Sequence, residues 1–174
     1  GRVGLHVCRL LHGAGAELFV ADVNRANRRL ASDELPVTVV PPAEILFADV
    51  DVLAPCALGN VLTSLTIPKI KAKVIAGAAN NQLSTAADGA RLAERDILYA
   101  PDYVINAGGI ITVSREYDGG SSDEEVRADV ARIPERLEKI FNEAKTSSRP
   151  TNVIADELAR RIVAAAGDNP PTGA

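Results

Sequence analysis

The sequence predicts an α/β fold built as a doubly wound parallel sheet with helices on both faces. Three observations predict it. Short runs of Val, Ile, Leu and Ala alternate with segments of helical period, the pattern of strand-helix-strand units. Aromatic residues are 3% of the chain and Trp and Met are absent, so the core is aliphatic, as strands buried on both faces require. Three successive stretches then end in small or amide residues beside glycine: Asp51-Val-Leu-Ala-Pro-Cys-Ala-Leu-Gly59, Lys73-Val-Ile-Ala-Gly-Ala-Ala-Asn-Asn-Gln82 and Tyr99-Ala-Pro-Asp-Tyr-Val-Ile-Asn-Ala-Gly-Gly109. Three such loops on one edge of a parallel sheet make a binding crevice.

Each element follows from local pattern. Leu5, Cys8, Leu10 and Leu11 recur at helical spacing after Gly4, and Gly13-Ala-Gly15 stops that helix before a strand at Leu18 to Asp22. Asn24 to Ser32 suits a second helix, Val37 to Val40 a short strand, and Pro42 to Phe47 a short helix leading into a strand at Asp51 to Ala54. Thr66 to Lys71 reads as a further helix before the strand Val74 to Ala76, and Thr85 to Arg95 as another before Ile97 to Ala100. The third apolar run is expected to deliver Asn106 at its end, against the flexible Gly108-Gly109 pair. Val126, Val130, Ile133, Leu137, Ile140, Phe141 and Ala144 then mark a long amphipathic helix. Pro134 removes a backbone donor within it, which predicts a kink or a restart near Ile133. A last helix is expected from Thr151 to Ala166, so residues 1–166 form one domain and 167–174, rich in Pro and Gly, a frayed tail.

Composition narrows the function classes. A chain of 174 residues with 47% hydrophobic and 24% charged residues is an ordinary globular domain with one core. Its formal net charge of −4 and scarcity of aromatics argue against nucleic acid, which needs a basic face or stacking platforms. The basic run from Arg25 to Arg29 reads as a solvated helix face. No stretch approaches the ~20 apolar residues of a membrane span, and no signal peptide is visible. Cys8 and Cys56 lie far apart without a CxxC pair or a histidine at ligand spacing, so neither a disulfide framework nor a metal site is expected. A reducing cytoplasm is the expected compartment. His6 and His12 do not share a helix face for a metal. The start, Gly1-Arg-Val-Gly4, has no initiator Met, and the chain reads as the middle of a longer one.

Chemistry begins at that start. In a dinucleotide fold, glycines turn a strand into a helix whose N-terminus faces the pyrophosphate, and an acidic residue about 20 positions later bonds the adenosine ribose. Asp22 stands 18 residues after Gly4. Gly1 and Gly4 fit the second and third fingerprint glycines, with the first glycine and the first strand missing, and Val23 follows the acid. The plain alternative is a helix cap, because two glycines near a helix start are common. A carboxylate repels a ribose 2′-phosphate, so Asp22 favours NAD over NADP, although Arg25 and Arg28 weaken that preference. Cys56, Ala57 and Leu58 offer small residues where a flat ring can approach the backbone. Ala78, Ala79 and Asn80 bring an amide for a carboxamide or a ribose. Ordinary turn chemistry also selects such residues. Cys56 has no base near it in sequence and reads as an inert small side chain.

The strings Ala54-Pro-Cys-Ala-Leu-Gly59, Val74-Ile-Ala-Gly-Ala-Ala-Asn-Asn-Gln-Leu83 and Tyr99 to Gly109 closely resemble the leucine, valine and phenylalanine dehydrogenases of the amino acid dehydrogenase superfamily. Ala155-Asp-Glu-Leu-Ala-Arg-Arg-Ile162 extends the match, and what it resembles is the C-terminal, Rossmann-like NAD-binding part of such enzymes. The resemblance implies a reversible oxidative deamination, in which an L-amino acid gives a 2-oxo acid and ammonia while a hydride passes to NAD. It also implies that the lysines and aspartate doing acid-base work belong to an N-terminal domain with no counterpart here, so no catalytic residue is expected in this chain. Lys69, Lys71 and Lys73 flank a strand start, on the edge opposite the crevice. By the same resemblance, Gly1 and Gly4 face the pyrophosphate, Asp22 the ribose, and Ala57 and Asn80 the nicotinamide end. Asn106 would lie between the nicotinamide ribose and the substrate.

Residues just after Gly109 help to line the substrate pocket in that family. Here they are Ile110 and, one turn on, Val113. Branched bulk suits a branched aliphatic side chain, so leucine or valine is the expected substrate and phenylalanine the alternative. The full-length enzyme is expected to be a homo-oligomer. A reading of another class is a nucleotide-binding fragment without turnover of its own.

Overall fold

In the computed structural model the described residues are 1–117 and 122–167. Helix α1 (Arg2–Gly13) opens the chain and leads to strand β1 (Leu18–Val20). Helix α2 (Arg25–Glu34) starts at Asn24, whose side-chain oxygen accepts the Ala26 N–H at 2.8 Å, and strand β2 (Val37–Val39) follows. A 3-10 turn at Ile45–Phe47 precedes strand β3 (Val52–Leu53), a second at Ile67–Lys69 lies between β3 and β4 (Val74–Ile75), and helix α3 (Ala87–Ala93) between β4 and β5 (Leu98–Tyr99). The C-terminal part is helical: α4 (Asp102–Ile105), α5 (Gly108–Tyr117), α6 (Asp123–Val130), α7 (Ile133–Ser147) and α8 (Thr151–Gly167).

Every strand pairing among the described residues is parallel, as expected, but the strands form two sheets rather than one. One has the order β1-β2, the other β3-β4-β5. The gap between β1 and β3 departs from a continuous doubly wound sheet. Its physical sign is incomplete burial: Phe19 on β1 and Val52 on β3 keep 38% and 50% of their surface exposed, and α1 buries none of its residues. The larger sheet carries the main core, where Leu53, Leu62, Ile67, Ile70, Ile75, Leu92 and Tyr99 pack together. Two smaller clusters join α4, α7 and α8 to it through Ile140 and Ile154, and through Ile133 and Leu137.

Two expectations about the C-terminal half resolve differently. The long amphipathic segment is two helices, and the second restarts at Ile133 with Pro134 in its first turn, where a missing N–H costs nothing. Asn106, by contrast, does not end a strand. Strand β5 stops at Tyr99, and Pro101 starts the short helix α4, whose C-cap is Asn106. The last helix reaches Gly167; the rest of the expected tail, 168–174, lies outside the described residues.

Candidate nucleotide-binding crevice

The carboxyl ends of β1, β3 and β4 gather most of the predicted residues. Gly1 caps α1 without a side-chain hydrogen bond, and no acidic residue stands in the first turn. The amides of Arg2, Val3 and Gly4 therefore lack intrahelical acceptors and form an anion-attracting helix start. Asp22, just past β1, lies against this start. Its carboxylate accepts from the Gly1 amino group at 2.6 Å, from the Asn24 N–H at 2.8 Å and from Asn27 Nδ2 at 2.8 Å. These bonds, that from Gly1 first, hold its pKa down at about 2. Arg28 is already engaged, donating to the backbone oxygens of Asp22 and Val23.

A cleft of about 990 Å³ runs through the gap between β1 and β3, from Glu17 and Asp49 at their amino ends past Phe19 and Val52 to Gly1, Gly4, Asp22, Val23, Cys56, Ala57 and Leu58 at the carboxyl edge. Gly4 comes close enough to the loop after β3 that a Cβ on it would lie 3.4 Å from the Cys56 Cβ. Both cysteines are free, and burial, then the neighbouring Cys56 thiol, pushes the Cys8 thiol above its ordinary pKa, the reverse of an activated nucleophile. Among the described residues no group of three metal-ligating side chains occurs. Nor is any helix long and apolar enough to cross a membrane. Lys69, Lys71 and Lys73 line a second pocket with Arg95, Asp96 and Asp49, beside the start of β4, at the amino ends of the strands rather than the carboxyl ends where Asp22, Cys56 and Asn80 stand.

The loops after β3 and β4 are bonded to each other. Ala79 N–H donates to Pro55 O at 2.9 Å, Asn60 N–H to Asn81 O at 2.6 Å and Leu62 N–H to Gln82 O at 3.0 Å. This close apposition requires glycine: a Cβ on Gly59 would come within 2.5 Å of Asn80 O, and one on Gly77 would overlap the backbone of Pro55. Asn106 then joins from α4, its Nδ2 donating to Asn80 Oδ1 at 2.5 Å and to Ala78 O at 3.3 Å. A chain of contacts thus links Asp22 and Gly1 to Cys56, Ala79, Asn80 and Asn106. Ile110 and Val113 stand further along, on α5, with 66% and 57% of their surface exposed. They are outside the core, and no described contact joins them to the amide pair.

Two buried polar positions that shape these loops were not singled out from sequence. Gln82 is fully buried and donates to Gly77 O at 2.8 Å and Ala79 O at 2.9 Å, folding the loop after β4 into an arch. Asp102, also buried, accepts the Gln82 N–H at 3.3 Å and the Tyr99 hydroxyl at 3.1 Å, tying β4's loop to α4. Burial, then the Asp102 charge, pushes the Tyr99 hydroxyl far above its ordinary pKa, so it stays a donor. The available signal was Pro101-Asp102, a proline-acid pair suited to a helix start.

Comparison with known proteins places this arrangement. The Glutamate/Leucine/Phenylalanine/Valine dehydrogenase family model matches residues 1–168. The chain belongs to this family. Leucine dehydrogenase of Geobacillus stearothermophilus is 43% identical over 163 residues, covering 94% of this chain and 44% of that protein. L-tryptophan dehydrogenase of Nostoc punctiforme is 46% identical over 160 residues, 91% of this chain and 45% of that protein. Its crystal structure superposes with a TM-score of 0.88 at 45% identity, over 92% of this chain and 49% of the other. This family member therefore spans under half the length of the curated relatives it matches.

Proposed function

We propose that this chain is the cofactor-binding portion of an NAD-dependent amino acid dehydrogenase that oxidatively deaminates a branched-chain L-amino acid, leucine or valine, to the 2-oxo acid and ammonia. The observation that carries this reading is the continuous chain of contacts from Asp22 through the uncapped start of α1 to the Asn80–Asn106 pair. Those residues fit a dinucleotide. A helix start without a cap or an acid suits a pyrophosphate. An ionised carboxylate at the end of β1 suits ribose hydroxyls. Gly59 and Gly77 bring backbone close where side chains would block it. NAD, when bound, supplies the acceptor for the hydride from the substrate α-carbon.

The chain's own residues orient rather than react. Gly1, Gly4, Asp22 and Val23 hold the adenosine and pyrophosphate side, Cys56, Ala57, Leu58, Ala78, Ala79 and Asn80 the nicotinamide side. Asn106 faces both nicotinamide ribose and substrate, and Ile110 and Val113 border the substrate side chain. No acid-base residue is assigned here, since the three lysines stand at the amino ends of the strands, opposite the Asn80–Asn106 pair. We further read residues 1–166 as one domain in which the two sheets are parts of one doubly wound Rossmann sheet, completed by a strand between β1 and β3. The exposed faces of Phe19 and Val52, and the position of Gly1 beside the carboxyl end of β1, favour that completion. A homo-oligomer in the cytoplasm is part of the same reading, and the exposed Ile162 and Val163 of α8 offer it apolar surface. An aromatic substrate, phenylalanine in particular, is the second reading, favoured by the 46% identity to a relative named L-tryptophan dehydrogenase.

The test is fluorescence titration of the purified chain with NADH, with folding checked by circular dichroism. Asp22→Ala is expected to weaken binding more than Asn106→Ala does. A folded parent chain with no NADH enhancement overturns the nucleotide reading.

A further inference from the structure

We propose that Gln82 is a positioning residue that sets the hydrogen-bonding polarity of the Asn80–Asn106 pair; its effect on cofactor binding rests on the nucleotide reading above, its effect on the pair does not. Gln82 is fully buried, yet it donates to two alternate carbonyls, Gly77 O at 2.8 Å and Ala79 O at 2.9 Å. The intervening carbonyl, Ala78 O, is turned the other way and meets Asn106 Nδ2 at 3.3 Å. A primary amide is the uncharged side chain that carries two hydrogens on one atom, so neither a thioether nor a carboxylate of similar length reproduces the arch. The unpartnered, buried Oε1 agrees: reversing the amide would set that oxygen against two carbonyl oxygens, so the side chain is held for its donors.

Ala78 O in turn decides how Asn106 lies. With its amide reversed, Asn106 would face Ala78 O and Asn80 oxygen to oxygen, so Nδ2 points inward and donates to both. Both Asn106 hydrogens are then used and its Oδ1 is left as an acceptor, while Asn80, having accepted through Oδ1, keeps its Nδ2 donors. The pair therefore presents an acceptor, Asn106 Oδ1, beside a donor, Asn80 Nδ2. That pattern suits a ligand group carrying one of each, as a primary carboxamide does. Asp102, which also accepts from the Tyr99 hydroxyl, holds Gln82 itself by accepting the Gln82 backbone N–H.

The experiment uses the full chain labelled with nitrogen-15, reading the side-chain amide resonances of Asn106, assigned by their loss in Asn106→Ala. In the parent chain the Asn106 amide protons should exchange about tenfold more slowly than those of the exposed Asn142, as expected for hydrogen-bonded donors. Gln82→Met keeps volume but removes both donors, and should erase that protection and weaken NADH binding about tenfold. In Gln82→Glu, a carboxylate facing two carbonyls should do the same at neutral pH. Protonation restores one donor, so the Asn106 signals should move back toward their parent positions as pH falls, a reversal that lost packing would not give. Asn106 exchange in the parent no slower than that of Asn142 overturns the proposal. So do parent-like Asn106 signals in folded Gln82→Met, or signals in Gln82→Glu that ignore pH. If Gln82→Met does not fold, the Gln82→Glu titration and the parent exchange decide. Protected Asn106 protons in a chain that does not bind NADH would overturn the nucleotide reading and uphold the role of Gln82.

Discussion

Replacing Asp22 by asparagine separates charge from shape at the end of β1. Asparagine keeps an acceptor for the Asn24 N–H, which now meets Asp22 at 2.8 Å, but carries no charge. A carboxylate and a ribose 2′-phosphate of charge near −2 at about 5 Å repel by roughly 1.5 kcal/mol at the dielectric constant of water, and more where the ligand excludes solvent. For the carboxylate alone that is about tenfold in favour of NADH over NADPH in the parent chain, less what the Gly1 amino group, 2.6 Å from it, offsets. Arg28 keeps its positive charge beside Asp22 and reduces this figure, but its hydrogens are engaged by the Asp22 and Val23 carbonyls rather than free for a phosphate. Asp22→Asn should bring the two affinities to within about threefold of each other, mainly by tightening NADPH, since hydrogen bonding to ribose survives in part. Fluorescence titrations of both variants with both nucleotides, at low ionic strength and with melting curves to confirm folding, read the ratio directly. Equal affinities in the parent, or an unchanged ratio in Asp22→Asn, would refute the assignment of Asp22 to the adenosine ribose.

Other expectations follow from the same geometry. Asp22 has its pKa lowered from 3.8 to about 2 on folding, so its stabilisation is complete above pH ~4 and lost as pH falls toward 2; urea midpoints should decline across that window in the parent and less so in Asp22→Asn. Gly77→Ala places a Cβ into the Pro55 backbone and should destabilise the fold by ~3 kcal/mol, visible as a lowered melting temperature, whereas Gly1→Ala, with nothing near its Cβ position, should not. The chain alone should not oxidise L-leucine, L-valine or L-phenylalanine, because the acid-base and proximity contributions are assigned elsewhere; NADH production above background would place a base within residues 1–174. In a full-length enzyme carrying these residues, Ile110→Ala should change stability by under ~0.5 kcal/mol, as its side chain is exposed, and raise kcat/KM for phenylalanine relative to leucine by up to about a hundredfold. An unaltered ratio would remove Ile110 from the substrate pocket.

What the sequence disclosed depended on whether a feature was local. The strands at Leu18, Val37, Val52, Val74 and Leu98 sit within apolar runs bounded by turn residues, and all were legible, though the structure trims each by a residue or two. The restart at Ile133 was legible because proline has one tolerated place in a helix. The helix start at Ser122, where Ser122 and Glu125 satisfy each other's backbone amides, was equally local and was passed over. Strand partners were not legible, since a buried valine does not record which neighbour it bonds. Nor was α4: Tyr103-Val-Ile105 is as apolar as a strand, and only Pro101 and Asp102 mark it as helical.

The site divides along the same line. Asp22, Asn80 and Asn106 were legible as polar groups at the ends of apolar runs, a local pattern. Gln82 and Asp102 were not, because a polar residue in an amide-rich loop reads as exposed and their burial arises only when the loops after β3, β4 and β5 close on one another. That closure has a consequence for the gap between the sheets. Pro55 O, Asn81 O and Gln82 O are all spent on bonds between the loops after β3 and β4, and Asn106 is anchored from α4, so the residues proposed for the nicotinamide side are held by the three-stranded sheet without help from β1 or β2. Asp22 is joined to that side chiefly through the Gly1 amino group and the close approach of Gly4 to Cys56. The proposed adenosine side is therefore the half whose geometry depends on what fills the space between Phe19 and Val52, and under the nucleotide reading filling it should change the affinity for adenosine fragments of NAD more than that for nicotinamide fragments.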